Sequence, residues 1–335
     1  MKILVFEYVT GGGLSHQALP AGLAREGELM LMALLNDLAC ITGIEVIVFR
    51  DRRLGQPSNH HPGRRWVMTQ PDRDVWDQLA AEIRQADAVW PIAPETDGTL
   101  ERACAMVERA GKCLLNSPSR AVQLASSKGC TLERLAACGL AVVPSVRAGT
   151  IPRDPPFAFP LVAKPDDGAG CEGSRIMISM EDWHSFLDRP KSGEWLVQPL
   201  IEGDPLSLSV IFSGGEARVL TVNRQLIRRK DERFVLEGCQ VNVPSDAQGM
   251  LTRLAEGIAE AIPDLWGYSG VDLIHGDQGF QVLEINPRLT SSYAGIRDAI
   301  GVNVASCVLN LAETGRLPPP RTFTGQLMET VWQTV

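Results

Sequence analysis

A lysine followed by a glycine-rich loop lies in the middle of the chain, in the segment FPLVAKPDDGAGCEGSRI. An apolar strand is predicted to deliver Lys164, and the loop from Gly168 to Ser174 also contains Gly170 and Gly173. Glycines let backbone N–H groups approach a polyanion closely, while lysine supplies a mobile positive charge. The loop is therefore a candidate phosphate site. An ordinary hairpin loop is the alternative, because Asp and Gly are also common in turns.

The spacing of this loop differs from two common nucleotide motifs. The Walker A loop requires G-x-x-x-x-G-K-[ST], and the dinucleotide turn requires G-x-G-x-x-G at the start of a helix. Neither pattern is present here or after the first predicted strand. This counts against a nucleotide-binding oxidoreductase, which the N-terminal pattern of strands and helices would otherwise allow.

Three oxygen-bearing side chains are predicted to converge in the hairpin GVDLIHGDQGFQVLEINPR. Side chains alternate along a strand, so Glu284 and Asn286 should share one face with Val282, while Leu283 points to the other. A hairpin with this turn would bring Asp272 directly or diagonally opposite Glu284. Close carboxylates repel each other unless a cation lies between them, and Mg²⁺ prefers oxygen ligands. The pattern predicts a Mg²⁺ site, with Mn²⁺ as the alternative ion; a solvated acidic sheet face is the other interpretation.

A third segment, WLVQPLIEGDPLSLSV, could hold a purine. A purine needs an apolar slot and a few polar groups at its edge, which Gln198 and the backbone near Leu200 could supply. Glu202 or Asp204 could then meet the ribose hydroxyls. A buried strand with a polar turn explains the segment equally well.

The elements that must position these residues fall into two patterns. Strands and helices alternate over residues 1–120, which predicts an α/β domain with a parallel sheet. The later segments are rich in strands with short turns, which predicts an α+β region with antiparallel sheets. We expect three units, at residues 1–120, 121–195 and 196–335.

Composition narrows the function further. The 335 residues include 44% hydrophobic and 21% charged residues, with a net charge of −8 and no long basic run. Nucleic acid and membranes are therefore not expected as partners, and a cytoplasmic location is expected. The 8 cysteines form no C-x-x-C pair, so reduced, packed thiols are expected.

In chain order, the sequence presents Lys128, Lys164 with its glycine-rich loop, Gln198, Asp272 and Glu284–Asn286. This ordered set resembles the ATP-grasp superfamily, which includes D-alanine–D-alanine ligase, biotin carboxylase and the glutathione synthetases. The resemblance implies a pre-ATP-grasp domain before an ATP-grasp module, and ATP and Mg²⁺ as cofactors. It also implies an enzyme that joins a carboxylate to an amine through an acyl phosphate.

The resemblance implies a role for each matching position. The expected nucleotide-binding residues are Lys128, Lys164, Gly168, Gly170, Gly173, Ser174, Gln198, Leu200, Glu202 and Asp204. The expected Mg²⁺ ligands are Asp272, Glu284 and Asn286, and the expected catalytic cations are Lys164 and Arg288. Two positions depart from the usual pattern: Gln198 stands where many members have Glu, and Pro205 leaves the ribose carboxylate unassigned.

Segments across the whole chain show a closer resemblance. FEYVTGGG, APETDG, KPDDGAGCEG and EINPRLTSSYAG are similar to the tyramine–glutamate ligase family of methanofuran biosynthesis. This implies small-molecule amino-acid and amine substrates, with L-glutamate joined to tyramine or a related aromatic amine. Two alternatives stay open: another ATP-grasp amino-acid or peptide ligase, and a non-catalytic ATP-binding regulator.

Substrate contacts are expected near the ends of the N-terminal strands and after the predicted metal strand. Glu7 and Glu95 each end a strand and could pair with a substrate ammonium, while Ser291 and Ser292 could contact a carboxylate. Each also has a structural alternative, as a strand-end acid or a turn former. Aromatic residues that could form a wall for the amine are Tyr8, Trp90 and Tyr293.

Overall fold

The computed structural model describes residues 1–55, 62–70, 72–150, 153–168, 170–189, 193–244, 248–320 and 325–331. Within these ranges the chain forms nine α-helices and fifteen strands, and the strands are arranged in three sheets. The predicted combination of an α/β part and an α+β part is confirmed. The described residues contain no helix long and apolar enough to cross a membrane.

The N-terminal sheet has five parallel strands. These are β1 (Lys2–Glu7), β2 (Glu45–Arg50), β3 (Arg64–Met68), β4 (Ala88–Ile92) and β5 (Cys113–Leu114), in the spatial order β3–β2–β1–β4–β5. Its crossover helices are α1 (Ala21–Leu38), α2 (Val75–Ile83) and α3 (Thr99–Arg109). The edge strand β3 was not predicted, because its sequence RRWVM has a half-exposed, partly basic pattern instead of an apolar run.

Alternate residues of the central strands face two separate cores. Ile3 and Val5 of β1 pack with Leu34 of α1, whereas Leu4 and Phe6 pack with residues of α2. Burial of both faces is the reason why the central strands are continuous apolar runs. The carboxyl ends of β1 and β4 consequently carry Glu7 and the turn that contains Glu95.

A small antiparallel sheet of four strands follows. Its strands are β6 (Val146–Arg147), β7 (Leu161–Pro165), β8 (Arg175–Met177) and β9 (Trp195–Pro199), in the order β6–β9–β7–β8. The helices α4 (Ser119–Ser126) and α5 (Lys128–Ala137) precede it, and α6 (Met180–Asp188) lies between β8 and β9. Because β9 belongs to this sheet, we propose that the unit predicted to stop at residue 195 extends to Pro199.

The third sheet has six antiparallel strands. They are β10 (Asp204–Ser213), β11 (Glu216–Lys230), β12 (Arg233–Val241), β13 (Gly267–Gly276), β14 (Gly279–Asn286) and β15 (Met328–Val331), in the order β14–β13–β10–β11–β12–β15. Helices α7 (Gln248–Ala261), α8 (Tyr293–Ile300) and α9 (Val304–Thr314) belong to the same region. One face of the sheet packs on α7; part of the opposite face packs in a core shared with α1, α8 and α9, and another part lines a cleft.

Candidate active site

A cleft of about 340 Å³ is lined by residues of the four-stranded and six-stranded sheets. The structure brings eight of the predicted site residues to its wall: Lys128, Lys164, Gly168, Ser174, Gln198, Leu200, Asp272 and Glu284. Apolar walls come from Val143, Val162, Ile201, Ile274 and Leu283. The cleft therefore combines an apolar slot with a charged end, as a nucleotide requires.

Lys128 connects the two sides of the charged end. It is the first residue of α5, where Ser127 caps the helix by accepting a hydrogen bond from the Cys130 N–H. Its Nζ lies 3.2 Å from Glu284 Oε2 and donates to the carbonyl of Gly168. This lysine therefore joins the glycine-rich loop to the acidic strand β14.

Lys164 comes from the end of β7 and is also enclosed in the cleft. Burial lowers the pKa of Lys164, because removal from water disfavours the charged form; the negative charge of Glu284 opposes this effect. A polyanionic ligand beside Lys164 would favour the charged form further. The position of Lys164 thus suits phosphate binding.

Asp272 and Glu284 are register partners on the antiparallel strands β13 and β14, as the hairpin pattern predicted. Asn286 lies two residues further along and its Nδ2 donates to Asp272 Oδ2 at 3.3 Å. Burial, and then the charge of Glu284, raise the pKa of Asp272 to about 7. Burial also acts to raise the pKa of Glu284, but Lys128 and Lys164 outweigh it and the pKa of Glu284 is lowered.

The predicted face assignment for two neighbouring residues is wrong. A β-bulge shifts the register between Asp272 and the next pair, so Leu273 faces Val282 and Leu283 is the extra residue. Consequently Val282 is buried in the core with Ile285, while Leu283 lines the cleft beside Glu284. Strict alternation fails here because the bulge lets two consecutive residues, Leu283 and Glu284, both line the cleft.

The donor set fits a hard cation such as Mg²⁺. The described residues contain no cluster of three or more His, Cys, Asp or Glu side chains able to hold a metal by themselves. Two carboxylates and one amide are instead grouped at the charged end of the cleft. Mg²⁺ is commonly held by one or two carboxylates together with substrate phosphates, so Asp272, Glu284 and Asn286 suit a metal that binds with the nucleotide.

The glycine-rich loop follows β7 and uses left-handed backbone conformations. Gly170, Cys171 and Gly173 have φ angles of 61°, 66° and 76°. At Gly173 a Cβ would lie 2.9 Å from Pro165 Cγ, so a side chain there would meet both strain and a clash. Gly173 therefore shapes the loop without lining the cleft. Ala169, inside the predicted loop, lies outside the described residues.

Cys171 of this loop lines the cleft, but burial raises its pKa to about 12. The thiol is therefore protonated at neutral pH and is not a nucleophile. All eight cysteines are free thiols; Cys104 and Cys239 are buried as predicted, whereas Cys40, Cys113 and Cys138 are exposed, so the prediction of packed thiols is wrong for these three.

The residues predicted for adenine and ribose show two different outcomes. Gln198 and Leu200 line the cleft; Gln198 Nε2 donates to Ser145 Oγ at 2.7 Å, and the Leu200 N–H donates to the Pro160 carbonyl at 2.9 Å. Glu202 and Asp204 are exposed, and among the described residues the cleft wall includes their neighbours Gly203 and Pro205 instead. The ribose assignment stays a prediction.

A smaller chamber of about 70 Å³ adjoins the cleft and shares four lining residues with it: Cys171, Gln225, Asp272 and Glu284. The predicted residues Gly170, Asn286, Arg288, Ser291 and Ser292 line this chamber. The two carboxylates therefore stand at the junction between the cleft and the smaller chamber.

Arg288 enters the chamber from the segment after β14 and is held by Glu95. Its Nε donates to Glu95 Oε1 at 2.9 Å and its Nη1 donates to the Leu289 carbonyl at 3.1 Å. Both side chains are buried. Burial acts to lower the pKa of Arg288, but the charge and hydrogen bond of Glu95, together with the charges of Glu26 and Glu284, outweigh burial, and the pKa of Arg288 is raised. Glu95 thus orients Arg288. Glu95 was predicted to bind a substrate ammonium, but it is not among the described residues that line the chamber.

Glu7 is placed elsewhere, inside its own turn. Its carboxylate accepts from the Thr10 N–H at 2.6 Å, from Thr10 Oγ1 at 2.5 Å and from the Val9 N–H at 3.2 Å. Burial raises its pKa to about 7. The structure therefore favours the structural alternative for Glu7, because neither the cleft nor the chamber includes it among the described lining residues.

Ser291 and Ser292 differ in their surroundings. Ser292 Oγ lies 2.9 Å from Thr290 Oγ1 and 3.3 Å from both Ser209 Oγ and the Tyr268 hydroxyl, within a buried hydroxyl network. Ser291 instead lies beside Glu26, a residue that the sequence did not single out, and acts to lower the pKa of that carboxyl.

Glu26 lies on α1 and lines the chamber, as Arg288 does. Burial raises the pKa of Glu26, while the charge of Arg288 opposes this effect. The sequence offered little signal for it, because a glutamate in an amphipathic helix is ordinarily solvated. Thr290 and Gln225, which also line the chamber, were not predicted either.

Comparison with known families extends these observations. Residues 125–292 match the model of the ATP-grasp domain, and residues 44–122 match the model of the pre ATP-grasp 3 domain. The predicted order of the two modules is thereby confirmed.

Similar proteins include ligases. The chain is 25% identical over 300 residues to the tyramine–L-glutamate ligase of Methanocaldococcus jannaschii, covering 88% of this chain and 84% of that one. A putative ATP-grasp superfamily protein from Archaeoglobus fulgidus has a TM-score of 0.69 at 23% identity, covering 92% of this chain and 88% of the other. The L-amino acid ligase from Bacillus licheniformis has a TM-score of 0.68 at 15% identity, with coverage of 93% and 74%.

The two structural matches show a shared fold, and the ligase relative supports the prediction of an ATP-dependent ligase that forms carbon–nitrogen bonds. The model of the ATP-grasp domain covers half of the sequence. This protein therefore belongs to the ATP-grasp family.

Proposed function

We propose that this protein joins L-glutamate to an amine, with tyramine or a related aromatic amine as the first candidate acceptor. The observation that carries the ligase chemistry is the junction of the cleft and the chamber at Asp272 and Glu284. Nucleotide bound in the cleft would direct its phosphates towards this junction, and a carboxylate in the chamber would approach from the other side. The relative from M. jannaschii supports the choice of substrates.

The reaction has two balanced steps. A carboxylate oxygen of the amino acid attacks the γ-phosphorus of ATP, so the bond between that phosphorus and the bridging oxygen of ADP breaks and an acyl phosphate forms. The amine nitrogen then attacks the acyl carbon, inorganic phosphate leaves, and the amine loses a proton to give the amide. Neither step requires a side-chain nucleophile.

The protein's contribution is positioning and positive charge. Lys128 and Lys164 lie on the cleft side of the junction and Arg288 on the chamber side, so three cations surround the place where phosphoryl transfer would occur. Mg²⁺ held by Asp272, Glu284 and Asn286 would supply further charge stabilisation to the phosphates.

The chamber offers opposite charges to an amino acid. Arg288 and the Ser291 hydroxyl can bind a carboxylate, and Glu26 on α1 can bind an ammonium. We infer that glutamate binds with its non-reacting carboxylate towards Arg288 or Ser291 and its ammonium towards Glu26. Glu26 replaces Glu7 and Glu95 in this role because Glu26 lines the chamber, whereas Glu7 accepts hydrogen bonds within its own turn and Glu95 accepts one from Arg288.

The acceptor amine has less support from the structure. Trp90 is fully buried in the N-terminal core, Tyr293 donates to Asp37, and Tyr8 packs against Phe6 and Trp76. None of the three predicted aromatic residues is among the described residues that line the cleft or the chamber. This observation favours a second candidate, a ligase that joins two amino acids.

The test is mass spectrometry of reactions that contain Mg-ATP, glutamate and one amine at a time, with phosphate release measured in parallel. We expect a glutamyl amide with tyramine or tyrosine, and no product when ATP, glutamate or the amine is omitted. Product only with a non-aromatic amino acid would establish the second candidate. ATP binding without product from any pair would support a regulatory protein instead.

A further inference from the structure

The turn at residues 95–97, between β4 and α3, touches both halves of the site at once. Glu95 accepts from Arg288 Nε at 2.9 Å on the chamber side. On the other side, Thr96 Oγ1 donates to the Asp167 carbonyl at 3.2 Å, and the Asp97 N–H donates to Asp167 Oδ2 at 3.0 Å. Three consecutive residues of the N-terminal domain therefore hold the chamber arginine and the start of the glycine-rich loop.

The segment held by this turn is hydrogen-bonded directly to Lys128 and its neighbour Gly129. Asp166 Oδ1 accepts from the Gly129 N–H at 2.7 Å, and the Asp166 carbonyl accepts from the Lys128 N–H at 3.1 Å. The carbonyl of Gly168, two residues further along the chain, accepts a hydrogen bond from Lys128 Nζ. Movement of Asp167 would therefore displace the cationic end of the cleft, while Arg288 would stay with Glu95.

The backbone of the turn has an uncommon conformation at Asp97. Asp97 has a φ of 54°, a left-handed conformation that is unfavourable for a residue with a side chain. Such a conformation persists only where the surroundings hold it, and here the Asp97 N–H is directed at Asp167 Oδ2. Asp97 itself is exposed, so core packing does not account for its conformation.

We propose that Asp167 is a positioning residue that, through Thr96 and Asp97, fixes the glycine-rich loop relative to Arg288. The proposal rests on the proposed function, because in-line transfer requires the carboxylate at Arg288 and the γ-phosphoryl group at the lysines to meet within a narrow distance. A displacement of about 1 Å can cost on the order of a hundredfold in rate. Asp167 touches neither substrate in this account.

The first test compares Asp167→Ala with Asp167→Asn, because an amide oxygen can still accept from the Asp97 N–H. We expect Asp167→Ala to lower kcat about tenfold or more and to release phosphate in excess of amide, since water competes when the carboxylate is misplaced. The KM for glutamate should stay within about twofold of wild type, because Arg288 keeps its partner. Asp167→Asn should restore both kcat and the ratio of amide to phosphate.

Two further variants make the comparison sharper. Thr96→Val removes the hydroxyl that donates to the Asp167 carbonyl and should show a weaker form of the same defect. Asp188→Asn, at the exposed end of α6, is the matched control and should behave as wild type. Unchanged kcat and unchanged coupling in Asp167→Ala would overturn the proposal, as would an equal loss in Asp167→Asn.

Hydrogen exchange of the segment 162–168 separates this proposal from the proposed function, because it requires a non-hydrolysable ATP analogue with Mg²⁺ and no turnover. Faster exchange in Asp167→Ala than in wild type and Asp167→Asn would support the positioning role. Equal exchange in all three proteins would overturn it. If wild type forms no amide with any pair, the proposed function fails while this measurement still decides the role of Asp167.

Discussion

Asp272 and Glu284 face each other across two antiparallel strands, yet their environments push their pKa values in opposite directions. Lys128 lies 3.2 Å from Glu284 and lowers the pKa of that carboxyl, whereas burial and the charge of Glu284 raise the pKa of Asp272. The protein thus keeps one carboxylate charged by its own lysine and leaves the other to be neutralised by a ligand. A cation that arrives with a nucleotide satisfies that requirement.

Glu284→Gln should therefore remove most turnover while the protein stays folded. The expected loss in kcat is about a hundredfold, because a neutral amide weakens cation binding and also leaves Lys128 without its charged partner. Turnover and circular dichroism should be measured on the same sample, with Glu313→Gln on the exposed face of α9 as the control. Wild-type turnover of Glu284→Gln at saturating Mg²⁺ would contradict the metal assignment.

Lys164→Ala should weaken binding of a non-hydrolysable ATP analogue about tenfold, because a charge-assisted contact with phosphate is lost. We expect the same direction for Lys128→Ala. Isothermal titration calorimetry gives the Kd, and Lys112→Ala, which lies outside the cleft wall, is the control. An unchanged Kd for Lys164→Ala would place this lysine outside the nucleotide site.

Glu26→Gln should raise the KM for glutamate about tenfold and leave the Kd of the ATP analogue unchanged. The reason is that Glu26 lines the chamber and is not a described lining residue of the cleft. Steady-state kinetics with glutamate as the varied substrate tests this, with the exposed Glu45→Gln as the control in the same domain. Equal KM values for the two variants would argue against an ammonium contact at Glu26.

Glu7 predicts a pH dependence of stability. Its pKa is raised by burial from 4.5 to about 7, so the native state keeps a proton that the unfolded chain has lost between these values. The contribution of Glu7 to the stability of the protein is then fully present below about pH 4.5 and is lost as pH rises towards 7. Between pH 5 and pH 8, the free energy of unfolding should fall on the order of 1 to 3 kcal/mol more in wild type than in Glu7→Gln.

Urea denaturation of both proteins across that pH range is the measurement. Parallel curves for wild type and Glu7→Gln would mean that Glu7 does not titrate as its buried position requires. An increased KM for the amine in Glu7→Gln would instead return Glu7 to the substrate site.

The hairpin that carries Asp272 and Glu284 could be predicted from sequence, because strand alternation and a short turn fix which residues oppose each other. The orientation of Leu283 could not be predicted, since no residue type in the strand marks the bulge that shifts the register beside it. The roles of Glu26 and Glu95 depend on contacts with Arg288 and Ser291 almost 200 or more residues away. Such contacts arise only when the domains pack, and no local pattern encodes them.

In the proposed mechanism, a carboxylate of one substrate attacks ATP before the amine reacts. This mechanism can be tested most directly with glutamate whose carboxylate oxygens carry ¹⁸O, by mass spectrometry of the phosphate released during amide formation. An acyl phosphate predicts that one labelled oxygen is transferred to phosphate for each amide formed. Amide formed together with unlabelled phosphate would mean that the phosphoryl group was not transferred to the carboxylate, and would contradict the proposed mechanism.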